Sequence, residues 1–238
     1  MKKITLVLLL LFLTVTSVQA QLYTLPTCNN TQASNLYGPM YTTGLQNATN
    51  RTAVVYPAAQ LAAISGKVIN GLYFNRSTGG VGIMGNPYLK IYVKEIAAID
   101  FGAGDLNWAT AITGATLVYD TNPVSNAGEE AGWRLFPLST NFTYSGTQNL
   151  AVFFEYQNTS TSNAFQWSFE LGEPCVDITN SNTVKFNNNT NAILPATLTS
   201  SDFRRPFIGF DYVESCPSPI TVSTVVTSPY AVNVKVGE

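Results

Sequence analysis

No histidine occurs among the 238 residues of this sequence. Its absence removes Ser-His-Asp and Cys-His catalysis and every imidazole-based metal site. Paired carboxylates, Ser-Lys dyads and oxygen-ligated calcium remain. The carboxylates Asp100, Asp105, Asp120, Glu129, Glu130, Glu155, Glu170, Glu173, Asp177 and Asp202 are scattered along the chain. A glycosidase needs two that face one another roughly 5–10 Å apart. Glu155 and Glu170 form the best pair, because they fall on adjacent predicted strands and on the same wet side. Two solvated strand residues satisfy that spacing equally well, so no catalytic residue and no enzyme activity is expected. Asp100 and Asp105 enclose Gly102-Ala103-Gly104 and offer hard oxygen ligands. Their spacing fits no EF-hand or RTX calcium pattern and reads as a solvated loop. No cofactor is expected, calcium at these two residues being the one case left open.

Aromatic residues carry the stronger binding argument. Sugar rings stack their C–H faces on Trp and Tyr while Asn, Gln and Asp bond the hydroxyls. Of Tyr88, Tyr92, Trp108, Trp133, Phe153 and Trp167, alternation assigns Trp167 to a core with Phe165 and Phe169, and Trp133 to burial with Leu135. Tyr88 and Tyr92, beside Lys90 and Lys94, are left as the exposed platform, with Trp108 next to Asn107 as a rim contact.

Three cysteines, Cys28, Cys175 and Cys216, match no zinc or redox spacing. In an oxidising compartment two of them can pair, and the third is then either free or bonded to a partner beyond Glu238. All three pairings are open, and a bond that includes Cys216 would fasten the end of the domain.

These side chains need a scaffold, and the chain reads as short strands divided by Gly, Asn, Pro and Ser. Period-2 alternation is clearest at 88–95, where Leu89, Ile91 and Val93 face inward. The runs 149–156 and 164–170 alternate too, and the polar 157–163 between them reads as the loop of an antiparallel hairpin. A further strand is expected at 206–212. Weaker ones are expected at 52–56, 67–75, 115–119, 131–138, 183–186 and 192–199. One or two helical turns fit Pro57–Ser65. The irregular 97–114 stretch is either a crossing between sheets or a surface excursion. Tyr144-Ser145-Gly146-Thr147 reads as a turn with Gly146 at positive φ, and Asn149 as a side chain bonding turn backbone. The fold class is therefore all-β, a two-sheet antiparallel sandwich of jelly-roll style.

The ends of the sequence set the context. Lys2-Lys3, the apolar run Ile4–Val15 and Val18-Gln19-Ala20 make a signal peptide over 1–20, too short in its apolar part to span a bilayer. Loss of Lys2 and Lys3 makes a chain of net charge −2 more acidic still, which offers nothing to nucleic acid or anionic lipid. No membrane insertion of the mature chain is expected. The sequons at Asn29, Asn47, Asn50, Asn75, Asn141, Asn158 and Asn188 are read as chance in an Asn/Thr-rich bacterial chain. Residues 21–215 form the main module, and Cys216-Pro217-Ser218-Pro219 is a linker. Residues 220–238 restart alternation as the first strands of a second β-sandwich domain.

Several segments resemble the N-terminal jelly-roll-like module of secreted Bacteroidetes proteins of the type IX secretion kind. That module is related in style to gingipain adhesin domains and precedes immunoglobulin-like or fibronectin type III repeats. The matching segments are Val68-Ile69-Asn70-Gly71-Leu72-Tyr73-Phe74, Leu89-Lys90-Ile91-Tyr92-Val93, the 142–152 run Phe-Thr-Tyr-Ser-Gly-Thr-Gln-Asn-Leu-Ala-Val, Arg205-Pro206-Phe207-Ile208-Gly209-Phe210 and Cys216-Pro217-Ser218-Pro219. The resemblance covers roughly residues 35–219 and rests on strand-and-turn patterns. It implies a secreted or cell-surface location and adhesion to glycan or protein ligands, and supplies no catalytic residue. The C-terminal sorting domain of such proteins is not in these 238 residues, which leaves the secretion route open unless the chain is truncated. The restart of alternation at 220–238 is what makes further domains of the same polypeptide the expectation. An ancillary module of a secreted hydrolase and a structural spacer are the alternative functions.

Overall fold

The computed structural model describes residues 21–25, 31–213, 223–228 and 231–235, the last two segments as backbone only. The expected signal peptide, Cys28, Cys216 and the linker at 216–219 lie outside the described residues. Among the described residues sixteen strands follow one another. The first five are β1 (Gln21–Thr24), β2 (Thr31–Ser34), β3 (Ala48–Tyr56), β4 (Val68–Arg76) and β5 (Pro87–Ile96). Next come β6 (Leu106–Asn107), β7 (Thr116–Thr121), β8 (Gly132–Thr143), β9 (Asn149–Asn158), β10 (Trp167–Glu170) and β11 (Val184–Asn189). The last are β12 (Thr197–Leu198), β13 (Ser200–Asp202), β14 (Ile208–Val213), β15 (Ser223–Ser228) and β16 (Ala231–Lys235).

Two six-stranded sheets dominate. The first runs β1-β14-β4-β10-β2, with β8 also on β4; the second runs β13-β11-β3-β9-β5-β7. Every pairing in both is antiparallel. The all-β two-sheet sandwich expected from alternation is the observed architecture. β15 and β16 pair with each other as a hairpin.

Alternation explains the core. On β9, Leu150, Val152, Phe154 and Tyr156 point inward, and on β5 Leu89, Ile91 and Val93 meet them, all at most 2% exposed. From the first sheet come Phe74, Phe136, Trp167, Ile208 and Phe210. Phe74 touches Phe136 and Phe154 edge-on, with ring centroids 5.5 and 5.2 Å away, which ties the two sheets together. Such ring pairs add about 0.5–1.5 kcal/mol to the burial itself.

Arg76 is fully buried among these apolar residues. A buried guanidinium is costly unless each N–H finds an acceptor. Here it donates to the carbonyls of Thr78 (2.7 Å) and Ala127 (3.3 Å) and to those of Gly128 and Val81, and lies 3.9 Å from the Phe165 ring centroid.

Two strand-level expectations are corrected. The 149–156 and 164–170 runs are not a hairpin. β9 pairs with β3 and β5 in the second sheet, while β10 pairs with β4 and β2 in the first, so the polar 157–163 connection crosses between sheets. Inward-facing aromatics on both runs suit two facing sheets as well as one hairpin, which is why the pattern misled. Trp133 and Leu135 are only half-buried, and the buried residue of β8 is Phe136. Trp133 stacks on Phe207 (6.3 Å, 24°) on the outer side of the first sheet. The sequons also divide: Asn50 and Asn158 are at most 1% exposed and serve as internal hydrogen-bonding groups.

The 97–114 stretch joins β5 to β7 within the second sheet and is therefore a surface excursion. The Pro57–Ser65 segment makes two short 3-10 turns, Ala58–Gln60 and Ala62–Ile64. Gly146 has φ +81°, as the turn reading requires. Asn149 bonds backbone on other segments, accepting from Ala58 N–H and donating to the Ala98 carbonyl.

Candidate functional site

The same alternation that buries Leu89, Ile91 and Val93 turns Tyr88, Lys90, Tyr92 and Lys94 to the outer side of the second sheet. On β9 it turns Phe153, Glu155 and Gln157 outward, and on β3 Thr49, Arg51 and Ala53. Strand register lines up Asp120, Lys90, Glu155, Arg51 and Asn187 in one row across five strands. Charges alternate along it, which is the favourable arrangement for cross-strand neighbours. Arg51 grips Glu155 through Nε (2.8 Å) and Nη2 (2.5 Å), and its Nη1 donates to the Pro195 carbonyl at 2.7 Å. Lys90 Nζ sits 3.8 Å from the other Glu155 oxygen. The row is thus neutral and internally satisfied.

The neighbouring row holds Tyr88, Gln157, Thr49 and Asn189. Gln157 donates to Ala192 O, and Thr49 and Asn189 both donate to Ile193 O, so the 190–196 loop is fastened over this half of the face. Tyr88 stands clear of it, 45% exposed, with its hydroxyl donating to the Asp120 carboxylate. That bond, more than burial, raises the Tyr88 phenol above its ordinary value. Tyr92 is half-buried, and its phenol is raised mainly by burial.

The third row, Ala53, Phe153 and Tyr92, is covered by the excursion. Asn107 caps the short helix Trp108–Ala111 by accepting from Thr110 N–H at 3.0 Å. β6 and β12 pair beside it. Trp108 is expected on the rim but is 3% exposed, packed edge-on against Phe153 and Tyr92 with the Arg51 guanidinium 5.0 Å from its centroid. The helix start that Asn107 provides rolls the indole down onto the sheet. The structure therefore brings Tyr88, Tyr92 and Trp108 to one face, where Tyr88 is open, Tyr92 is partly open and Trp108 is a buried support. Arg51 and Asp120 complete the site and were missed by sequence reasoning. Strand register would have found them, since each falls opposite an opposite charge.

The other candidates stand apart. Glu155 and Glu170 lie in different sheets, and Glu155 is occupied by Arg51 and Lys90. They are not a facing pair. Asp100 accepts from Gly102 N–H (2.8 Å) and the Asn180 amide (2.8 Å), while Asp105 is exposed. Among the described residues no group of three or more metal-ligating side chains comes together. Cys175 is disulfide-bonded. At the loop end of the sandwich, a cavity of about 260 Å³ is lined by Gln60, Ile99, Asn149, Glu173, Asp177 and Arg205, among others. Its polar groups are largely committed: Glu173 accepts from Ile178 N–H, Asp177 from Thr179, and Arg205 donates to the Val55 and Cys175 carbonyls.

Among the described residues no helix is long and apolar enough to cross a membrane. No protein-family model and no curated protein matches the chain. Among solved structures it is similar, at 12% identity and a TM-score of 0.36, to the cysteine protease and lectin-like domains of Cwp84, a surface layer associated protein of Clostridium difficile. It is also similar, at 14% identity and a TM-score of 0.22, to the structure of infectious bursal disease virus Gx strain. These likenesses cover 79% and 83% of this chain but only 37% and 41% of those chains, and they are too slight to bear on function.

Proposed function

We propose that this chain is the front module of an exported, multidomain bacterial protein, and that it binds an extracellular glycan or protein ligand through the outer face of its second sheet. The observation that carries the reading is Tyr88. It is a large aromatic ring, 45% exposed, oriented by a carboxylate and flanked by a charge row already satisfied within the protein. A face that is ordered before the ligand arrives loses little freedom on binding. A phenol ring offers a stacking surface with a polar tip, which suits a sugar ring or a protein loop. No catalytic step is assigned to the module. Export rests on the expected signal peptide, and the kinship with Bacteroidetes adhesin-style modules rests on the strand-and-turn segments.

The test is a glycan array and an extracellular-matrix protein panel probed with the mature chain. The reading expects saturable binding to at least one ligand class. No binding to either panel would sink it and favour a structural spacer. Hydrolysis of a polysaccharide by the purified protein, abolished by Glu155→Gln, would overturn the assignment to binding alone.

A further inference from the structure

The 190–196 loop is held in a costly shape. Among the described residues only Asn47 and Ala192 are non-glycine residues with left-handed backbone, at φ +59° and +62°. They are bonded to each other, Ala192 N–H donating to the Asn47 carbonyl at 3.0 Å. An alanine keeps such a conformation only where its surroundings fix it. Here the Ala192 carbonyl accepts from the Gln157 amide at 3.2 Å. Ile193 N–H donates to Asn191 Oδ1 at 3.0 Å, and its carbonyl accepts from Thr49 Oγ1 (2.9 Å) and Asn189 Nδ2 (3.2 Å). Every backbone polar group of Ala192-Ile193 is thus bonded within the fold. The Ile193 side chain is nevertheless 65% exposed. A loop pinned at each of these groups has no freedom to fold that side chain away.

We propose, taking the outer face of the second sheet as the contact surface, that its ligand is a protein rather than a glycan. The partner seats a large apolar side chain between Tyr88 and Ile193 and sets a lysine or arginine against Asp120.

Strand register places the two walls of this seat. Gln157 is partner to Tyr88 on one side and to Thr49, which holds Ile193, on the other. Tyr88 and Thr49 are therefore two strand spacings apart, roughly 10 Å. The gap over Gln157 suits one aliphatic or aromatic side chain. Met84 and Leu45, each more than half exposed, continue the apolar surface around this end of the sheet. Asn158, the residue after Gln157, holds the Met84 carbonyl, and Leu45 lies two residues before Asn47.

The polar groups argue against a sugar. A glycan site needs convergent polar groups that are free to bond hydroxyls. The Gln157, Thr49 and Asn189 donors are turned to the loop, and Glu155 is held by Arg51 and Lys90. What stays open is apolar, with the exposed Asp120 carboxylate at its edge, bonded by the Tyr88 hydroxyl. A preordered apolar seat with a charge at the rim is the form of a protein–protein hot spot. The negative rim complements a cationic side chain.

The test passes the mature chain over the glycan array and the matrix-protein panel as native sequence, Ile193→Ser, Asp120→Asn and Ile99→Ser. All three positions are exposed, so the core is left intact. Asp120→Asn keeps an acceptor for Tyr88 and removes only the charge. Ile99→Ser is the control, an equally exposed isoleucine at the loop-end cavity. Binding is expected to at least one matrix protein and to no glycan. Ile193→Ser is expected to weaken it about tenfold, and Asp120→Asn about threefold with a flatter salt dependence, while Ile99→Ser binds like the native sequence. Glycan binding overturns the assignment to a protein, and so does protein binding that Ile193→Ser leaves unchanged or that Ile99→Ser weakens equally. In each of those cases a ligand-binding module remains. Silence on both panels removes the binding function itself, and this partner with it.

Discussion

Arg51 shows how one side chain can organise a surface. Its guanidinium bonds a carboxylate on the next strand and a carbonyl of the 190–196 loop, and covers the ring of Trp108. Three segments distant in sequence converge on it. Replacing it with alanine leaves Glu155, whose side chain is 12% exposed, with only the longer Lys90 contact. Hydrogen bonds to charged groups are worth about 1.5–3 kcal/mol each when the partner stays behind. Arg51→Ala is therefore expected to lower unfolding stability by about 2–3 kcal/mol in a denaturant titration. Arg51→Lys keeps the charge but loses the planar fork, so it is expected to recover less than half of that. Equal stability of all three proteins would show that the row is a loose surface contact. This residue was not legible as a site from the sequence, where it is one arginine in an Asn/Thr-rich run. Register, a product of the whole sheet, places Glu155 beside it, and the packing of the excursion brings Trp108 against it.

Strands were the legible level. The alternation at 88–95 gave the inward and outward sides of β5 without help from any partner, because a pleated strand half-buried on one side leaves that imprint directly. The same logic stalled where both candidate partners were equally apolar. β9 and β10 present inward aromatics whether they share a sheet or face each other across the core, so the hairpin reading was an underdetermined choice. It carried the Glu155–Glu170 pair down with it. The turn after β8 was legible because a single residue decides it. Gly146 has φ +81°, and an added Cβ would lie 1.8 Å from Ser65 Oγ. Gly146→Ala is expected to cost about 2–3 kcal/mol, from left-handed strain and the clash together. Gly102→Ala, at φ +75° with open space around it, is expected to cost about 1 kcal/mol, from strain alone. Equal losses in thermal unfolding would place the whole effect in backbone strain.

Strand tyrosines give this fold a pH limit on the alkaline side. Tyr119 and Tyr156 are at most 2% exposed, and burial pushes both phenols up to about 12. Their folded values exceed the unfolded value near 10, so their stabilising contribution is complete below pH 10. It is lost as pH rises from 10 through 12, at up to about 1.4 kcal/mol per pH unit for each ring. Unfolding midpoints should therefore be flat with respect to these two groups up to pH 10 and fall steeply above it. Ionisation of both rings near pH 10 in the folded protein, seen as tyrosinate absorbance without unfolding, would contradict their burial.

The whole molecule is a sandwich with two very different outer surfaces. The first sheet shows the Trp133–Phe207 stack, and the second shows Tyr88 above a balanced charge row. Sequence reasoning reached the two-sheet class because alternation and turn spacing survive without knowledge of pairing. It did not reach the division of labour between faces, because the excursion that buries Trp108 is placed by tertiary packing, and a single helical turn starting at Asn107 leaves no periodic trace. The central claim is that the second face makes the contact. It is tested by titrating a ligand found on the panels into the native sequence, Tyr88→Ala and Trp133→Ala, each first shown to be folded. The account predicts that Tyr88→Ala weakens binding about tenfold, roughly 1.4 kcal/mol, while Trp133→Ala binds like the native protein. Unchanged binding by Tyr88→Ala with loss in Trp133→Ala would contradict it and move the contact to the first sheet.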